Sequence, residues 1–411
     1  MKKYLIIIFL ASTIFESNAQ SPATLKKDMY GIASDATAGR FTGSPGYLKA
    51  AKYVVKQLKA AGIKPGWKEN NQLTYWQPVP FSWDNYSGGL IIKGKTYLHN
   101  AQHFIVIKRG IAGPGKWVVL APGGSVNGKP AGIVLLPNKD QANDWETTVI
   151  RQYRFGYMHY LPDGVNAPDG IPTIIASPSL ANMLVAGDSV TVKLQFKSVK
   201  KTGYNVIGIV SGTDRKIIHP IIIVGAHLDH IGRIGNHVYN GANDDASGCV
   251  AELGAAKMLA DHPAKRSVIF AFFCGEELNL KGTRWFVDHM PVSEKNIQLM
   301  VNLEQLGSKH RSFDGVWALG DAPFKAAFMA AGKDFTASAL QFSMTDSVKE
   351  ILSNTDTYSF MNKQIPSLLL GSGGFDEHHT PQDKINLIDF PHLGKATRLL
   401  YNLLLLTGNQ P

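Results

Sequence analysis

The sequence predicts an α/β fold, with a mixed, largely parallel central sheet covered by helices on both faces and a small β-rich domain inserted into it. Two observations predict this fold. After Tyr204, uniformly apolar strand-like runs alternate with helical stretches, and strands buried on both faces are typical of sheets covered by helices. Before Tyr204, a section of short β-rich runs separates a helical beginning from this alternation. A chain of 411 residues is long enough for more than one domain.

The first residues have the pattern of a signal peptide. Two lysines precede an apolar run from Tyr4 to Leu10, and Ser17-Asn18-Ala19 offers the small residues that a signal peptidase reads. The apolar run is too short to span a bilayer. We therefore expect residues 1–19 to be removed, and the mature protein to be secreted to the periplasm or the medium without a membrane anchor.

The rest of the chain divides into three ranges that differ in the spacing of their apolar and turn-forming residues. The first range is helical, because apolar residues recur at helical spacing up to Gly62. The second consists of short β-rich runs, such as Trp117 to Leu120, separated by turn-forming pairs. The third alternates apolar strands with helices. We predict that residues 20–85 form the first part of a main domain and that residues 199–411 form its larger part. Residues 86–198 are predicted to form a domain inserted between them.

Charge and cysteine content narrow the possible partners. The formal charge is +10, but the basic residues are scattered rather than clustered. This pattern indicates solubility and weak non-specific attraction, so we expect no nucleic-acid partner. The two cysteines, Cys249 and Cys274, leave both a disulfide and two buried free thiols open.

Polar residues that follow the strands of the third range carry the chemistry. In an open α/β sheet, ligands bind outside the carboxyl ends of the strands, so residues at these ends converge on one crevice. Acids and histidines follow four of the apolar strands and open the helix after the first: His227, Asp229, Asp244, Asp245, Glu276, Glu277, Glu304, His378 and His379.

This set of residue types indicates a metal site. Histidines and carboxylates together suit zinc, and one carboxylate can bridge two ions. The adjacent Glu276 and Glu277 allow a division of labour, in which one binds metal while the other faces the bound water. Taken singly, Asp244 or Asp245 could cap a helix and His227 could be a core histidine. Their coincidence after four strands favours the metal site.

At these residues the sequence resembles the co-catalytic zinc aminopeptidase family, which includes bacterial leucyl aminopeptidases, aminopeptidase Y and glutamate carboxypeptidase. Ala38-Gly39-Arg40 and Gly43-Ser44-Pro45-Gly46-Tyr47 look like the family's N-terminal signature, and Asn205-Val206-Ile207-Gly208 looks like its re-entry into the catalytic domain. The inserted domain resembles a protease-associated domain. The resemblance covers the whole mature chain.

The resemblance implies a role for each matching residue. Glu276 would be the general base, and Asp229 would orient a histidine ligand from outside the metal shell. Asp244 would bridge two zinc ions, with the peptide bond between Asp244 and Asp245 in the cis form. The implied metal ligands are His227, Asp244, Glu277, Glu304 and His379.

Three positions depart from the family pattern. Glu304 stands where the family usually has aspartate, so its extra methylene can shift a metal or change how a substrate amine is held. His378 stands where many relatives have a tyrosine that holds the developing oxyanion, so His378 is a candidate for that role or for binding substrate. Asn279 replaces a glycine. None of these changes removes a ligand or the base.

The resemblance and the residue types together imply an aminopeptidase that acts on peptides with a free N-terminus. Water activated by two zinc ions would attack the carbonyl while Glu276 takes its proton. The alternatives are a carboxypeptidase or dipeptidase, a glutaminyl cyclase, and a peptide-binding protein without catalysis. Side-chain preference and oligomeric state stay open.

Overall fold

The computed structural model describes residues 20–108, 116–126, 128, 130–155, 158–160, 171–214, 216, 220–333, 335–341 and 345–410. The predicted signal peptide lies outside these residues. Short 3₁₀ segments occur at Asp35–Arg40, Glu294–Asn296, Ala322–Phe324 and Ile385–Leu387.

The described residues form the following strands and helices. The strands are β1 Lys64–Pro65, β2 Trp67–Glu69, β3 Gln72–Thr74, β4 Trp76–Ile92, β5 Lys95–Leu98, β6 Phe104–Lys108, β7 Trp117–Leu120, β8 Ile133–Leu135, β9 Met158–Tyr160, β10 Thr173–Ala176, β11 Ser189–Val210, β12 Ile221–His227, β13 Gly232–Ile234, β14 His237–Tyr239, β15 Val268–Phe273, β16 Ile297–Glu304, β17 Val316–Gly320, β18 Ala337–Gln341 and β19 Ser367–Gly371. The helices are α1 Pro22–Ala33, α2 Pro45–Ala60, α3 Lys139–Asn143, α4 Trp145–Phe155, α5 Pro178–Ala181, α6 Ala246–Asp261, α7 Lys281–Asp288, α8 Lys325–Ala331, α9 Asp346–Leu352, α10 Thr357–Met361 and α11 Phe390–Gly408.

The main domain is built on a mixed sheet with strand order β18-β17-β19-β16-β12-β15-β11. Its centre is parallel, since β12 pairs in parallel with β15 and β16, and β16 with β19. The flanks are antiparallel, where β17 meets β19 and β11 meets β15. The predicted fold class is confirmed.

The two faces of this sheet are covered by different helices, as its uniformly apolar strands require. Alternate residues of β12 point to opposite faces. Ile222 and Val224 belong to the cluster that includes the buried residues of α1, α2, α6 and α11. Ile221 and Ile223 belong to a second cluster, with Phe286 of α7 and Phe360 of α10.

The inserted domain is joined to the main domain by a long antiparallel ribbon. Strands β4 and β11 pair continuously from Trp76 opposite Val206 to Ile91 opposite Thr191. The predicted boundaries at 86 and 198 therefore fall inside two unbroken strands. A period-two pattern does not change where a strand crosses from one domain to the next, so the sequence carries no signal at that point.

The inserted domain packs against the loop region that leads out of β12. Its residues Ile105, Val149 and Ile175 share a buried cluster with Ile231 and Tyr239 of the main domain. The β13–β14 hairpin is thereby held between the two domains. This contact places the inserted domain beside the carboxyl edge of the main sheet.

Two further features bear on the sequence predictions. Cys249 and Cys274 are both buried free thiols, which decides the open question against a disulfide. Among the described helices, none combines the length and the apolar character that crossing a membrane requires.

Candidate metal centre

The carboxyl ends of four strands bring the predicted residues to one edge of the sheet. His227 and Glu304 are the last residues of β12 and β16. Glu276 and Glu277 follow β15 by a short turn. Because β12, β15, β16 and β19 run in parallel, their ends meet on the same side. His378 and His379 reach this edge from the loop after β19, and His379 has a positive φ of 57°.

The side chains form two groups of potential metal ligands that share one aspartate. We call His230, Asp244, Glu277 and His379 the four-residue group, and His227, Asp244 and Glu304 the three-residue group. Within each group the ligand atoms all lie within 4.8 Å of one another. Asp244 Oδ1 lies 3.1 Å from His227 Nε2, while Asp244 Oδ2 lies 3.1 Å from His379 Nε2. One oxygen of the carboxylate therefore faces each group, which is the arrangement of a bridging ligand.

Glu276 lies beside the two groups without belonging to either. Its Oε2 is 4.0 Å from His227 Nε2, and the side chain borders a cavity. The adjacent Glu277 turns into the four-residue group, with Oε1 3.2 Å from His379 Nε2. The two adjacent glutamates therefore differ in position, since Glu277 belongs to a group of potential ligands and Glu276 borders the cavity beside them.

Asp229 contacts both His227 and the backbone of Glu276. The Nδ1 atom of His227 is 3.2 Å from the main-chain oxygen of Asp229 and 3.9 Å from its Oδ1. The N–H of Glu276 donates to that Oδ1 at 3.1 Å. Asp229 thus supports the orientation of His227 mainly through its carbonyl, and its carboxylate holds Glu276.

The two aspartates at the start of α6 have different tasks. Asp245 is the N-cap, and its Oδ1 accepts from the N–H of Gly248 at 3.1 Å and of Gln305 at 3.0 Å. Asp244 enters the metal groups instead. The peptide bond between them is cis, as the family resemblance implied.

Three buried residues support this site: the sequence analysis did not single out His230 or Asp383, and it named Arg40 only as part of the N-terminal signature. His230 belongs to the four-residue group and is fully buried. The guanidinium of Arg40 donates to the carbonyls of Leu228, Asn240 and Gly241. The carboxylate of Asp383 accepts the N–H groups of Asn243 and Asp244 at 2.8 and 3.0 Å. His230 stands one residue after Asp229, which was the available signal. The hydrogen-bond partners of Arg40 and Asp383 are far away in the chain, so no local pattern in the sequence indicates these contacts.

The pKa values reflect competition between burial and close charges. Burial lowers the pKa of His379, but Glu277 and Asp244 outweigh it and raise that pKa to about 10. Burial raises the pKa of Asp244, but hydrogen bonds from His227, His378 and His379 hold it well below its usual value. The pKa of Asp229 is raised to about 6, chiefly by burial. The carboxylates of Glu277 and Asp244, which favour the charged form of His379, would also attract a metal cation.

A cavity of about 410 Å³ opens onto the groups. Its wall combines polar residues with four apolar side chains, which are those of Leu280, Trp317, Ile351 and Leu369. His378 also borders it, is 45% exposed, and has its Nε2 3.0 Å from Asp244 Oδ2. The site therefore has room for an organic ligand beside the metal ligands.

The chain is similar in sequence to a family of peptidases and to individual aminopeptidases. Residues 205–404 match the model of peptidase family M28. The chain is 30% identical over 147 residues to a probable leucine aminopeptidase 2 of Aspergillus oryzae, which is 35% of this chain and 27% of that protein. It is 25% identical over 316 residues to an aminopeptidase of Pseudomonas aeruginosa, 67% of this chain and 55% of that protein. The matches thus span between about a quarter and just over half of the length of these relatives.

Solved structures share the fold. A zinc aminopeptidase from Bacillus subtilis superposes with a TM-score of 0.65 at 17% identity, covering 93% of this chain and 94% of that one. A peptidase M28 precursor from Shewanella amazonensis gives a TM-score of 0.57 at 18% identity, over 95% and 96% of the two chains. Both metal groups lie inside the segment that matches the family model. Through that segment and the site it contains, the chain is similar to peptidase family M28.

Proposed function

We propose that this protein is a secreted, zinc-dependent exopeptidase, and specifically an aminopeptidase that releases residues from the free N-terminus of peptides with the help of two zinc ions. The observation that carries the proposal is the bridging position of Asp244. Its two oxygens face separate ligand groups, and Glu276 lies alongside without joining either. The aminopeptidase names of the relatives support the same activity.

The donor atoms fit zinc. Histidine nitrogens and carboxylate oxygens are zinc ligands, and separations near 3 Å are those of donors that share one ion. The four-residue group and the three-residue group would each hold one ion, with Asp244 common to both. Zinc ions held there would supply Lewis acidity, which lowers the pKa of a coordinated water and polarises the scissile carbonyl.

The protein's own residues would carry the proton and position the substrate. Glu276 would take the proton of the attacking water and return it to the departing amine. Asp229 would fix Glu276 for this task through the backbone hydrogen bond. The substrate's α-ammonium would lie near Glu304, whose side chain is 13% exposed beside the three-residue group, so that only a free N-terminus is well held. The apolar wall of the cavity would receive the first side chain.

The activity is tested with short peptides offered with a free or an acetylated N-terminus, with and without a chelator, and with products read by mass spectrometry. We expect chelator-sensitive loss of single residues from the free N-termini only. Cleavage at the other end would identify a carboxypeptidase, and ring closure of an N-terminal glutamine would identify a cyclase. If fully zinc-loaded protein shows no reaction, the remaining alternative is a peptide-binding protein without catalysis.

The role of Glu276 is tested by Glu276→Gln. The rate should fall by about 10²- to 10⁴-fold, as is typical for loss of a general base, while zinc content by mass spectrometry stays unchanged. Glu294→Gln, on an exposed 3₁₀ segment, is the matched control and should retain full activity. A Glu276→Gln variant with near-normal turnover would refute the assignment.

Secretion rests on the pattern of residues 1–19 alone. When the full chain is expressed in a bacterium with a general secretion pathway, N-terminal sequencing of the exported product should begin at Gln20. Retention of the uncleaved chain in the cytoplasm would contradict this part of the proposal.

A further inference from the structure

We propose that His230 is a direct protein ligand of the metal position formed by Asp244, Glu277 and His379, so that the two metal positions differ in kind. The four-residue group would be a closed site that holds its ion tightly. The three-residue group would be an open site with a free position for water and substrate. This inference rests on the proposed two-zinc centre and deepens it.

The first argument is the spacing of the donor atoms. His230 Nδ1 lies 2.8 Å from Glu277 Oε1 and 3.7 Å from Asp244 Oδ2. His379 Nε2 lies 3.2 and 3.1 Å from the same two oxygens. Four donors around one tetrahedral zinc stand about 3.3 Å apart, given bond lengths of about 2.0–2.2 Å. Four of the six edges of such a tetrahedron are therefore present.

The second argument is that the hydrogen-bonding capacity of the buried imidazole of His230 is unused. The side chain is fully buried, and among the described residues neither ring nitrogen makes a hydrogen bond of good geometry, although Nδ1 lies close to the carboxylate of Glu277. Leaving a buried polar group without a partner costs about 1–3 kcal/mol. A metal ion at Nδ1 would satisfy the nitrogen that faces the carboxylates.

The third argument is that the backbone makes room for this ring. Gly241 has a positive φ of 56°, and a Cβ at this position would stand 2.4 Å from His230 Cγ. The same Cβ would stand 2.2 Å from the main-chain oxygen of Asp244. The loop that carries the bridging aspartate thus passes against the face of the imidazole, and only a glycine allows this approach.

The two groups therefore offer different ligand counts. Four protein ligands close a tetrahedral zinc site, whereas three leave a position open, as in catalytic zinc sites. We expect zinc to fill the four-residue group first and to leave it last. The three-residue group, with only His227 as its imidazole, would load second and exchange faster.

The decisive measurement is X-ray absorption on the wild-type protein loaded with one equivalent of zinc. Two imidazoles per zinc, from His230 and His379, are expected. A single imidazole would overturn the inference, because His379 or His227 alone accounts for it. This measurement needs no variant, so it does not depend on how a substitution folds.

Variants then identify the second imidazole. His230→Ala should reduce the count to one and weaken the tighter zinc site by more than the 10- to 100-fold that is typical when a group outside the ligand shell is lost. His378→Ala is the matched control, since His378 Nε2 is also near Asp244 Oδ2, at 3.0 Å. It should keep two imidazoles and the tight site. The reverse result, with loss in His378→Ala and retention in His230→Ala, would overturn the inference.

The outcomes separate this inference from the proposed function. A wild-type protein that binds only one zinc at saturation would contradict the two-zinc centre, and the imidazole count would still test His230. A protein that binds two zinc ions with one imidazole each would retain the proposed function and refute the role of His230. Zinc is titrated against a chelator of known affinity, and a thermal melt verifies that each variant is folded.

Discussion

Arg40 is expected to hold the two ligand-bearing loops together, and Arg40→Met tests this. The side chain is fully buried and donates to three main-chain carbonyls. The carbonyl of Leu228 lies one residue after His227, and the other two, of Asn240 and Gly241, lead into Asp244. One guanidinium therefore links the end of β12 to the loop that carries Asp244.

The magnitude follows from the number of carbonyls that lose their donor. Each buried carbonyl left without a partner costs about 1–3 kcal/mol, so three of them cost about 3–9 kcal/mol. The lower half of this range applies, because methionine fills most of the volume and removes a buried charge; burial already lowers the pKa of Arg40. With an unfolding entropy of about 2.1 cal/mol/K per residue, a loss of about 4 kcal/mol lowers Tm by about 5 °C for a chain of this length.

The assay combines a calorimetric melt with a zinc titration. Arg40→Met should melt about 5 °C lower and bind zinc more weakly, because both loops lose their common anchor. Arg40→Lys keeps the charge but loses the planar guanidinium, so its Tm and zinc affinity should lie between those of the wild type and those of Arg40→Met. Arg233→Met, at an exposed position of β13, is the control and should match the wild type. An Arg40→Met variant with unchanged Tm and zinc affinity would refute the reasoning.

Three further outcomes are expected. Because neighbouring carboxylates outweigh burial and raise the pKa of His379 to about 10, zinc must displace a proton at neutral pH. Zinc affinity should therefore rise by about tenfold per pH unit for each displaced proton between pH 6 and 8, and a pH-independent affinity by chelator competition would contradict this. Trp317→Ala, in the apolar wall of the cavity, should raise KM by about tenfold for peptides with a bulky apolar first residue and little for alanyl peptides; equal effects on both would count against that wall as the specificity pocket. Asp383→Asn should lower stability by about 1–3 kcal/mol, because the amide oxygen can accept the N–H of Asn243 or that of Asp244 while the other loses its acceptor; an unchanged melting curve would disprove it.

Much of the site was predictable because parallel strands place their carboxyl ends together. An apolar run followed by an acid or a histidine is visible in the sequence, and the rule for open α/β sheets then brings these residues to one edge. His227, Glu304 and the Glu276–Glu277 pair reach that edge in the structure. The same logic does not extend beyond the strand end, where the path of the loop is set by distant contacts.

The inserted domain shows the opposite case. The sequence indicated that this domain is rich in β-strands. It did not indicate where the domain begins and ends, because β4 and β11 run without interruption through both domains. Its contact with the β13–β14 hairpin also has no local signal. That contact depends on which surfaces of two separate cores face each other, through residues such as Ile105 and Ile231.

The sequence by itself determined the α/β class, the inserted domain and the residue types of a zinc site, because burial on two faces and the order of residues at strand ends are local properties. The tertiary structure showed how the two adjacent aspartates differ, with the carboxylate of Asp244 between the two ligand groups and that of Asp245 capping α6. It also brought in His230 and Arg40, whose roles depend on contacts across a folded loop and across about two hundred residues of chain. The physical reason is that a ligand shell and a buried donor are defined by which atoms meet in space, and sequence spacing specifies this only while the chain stays regular.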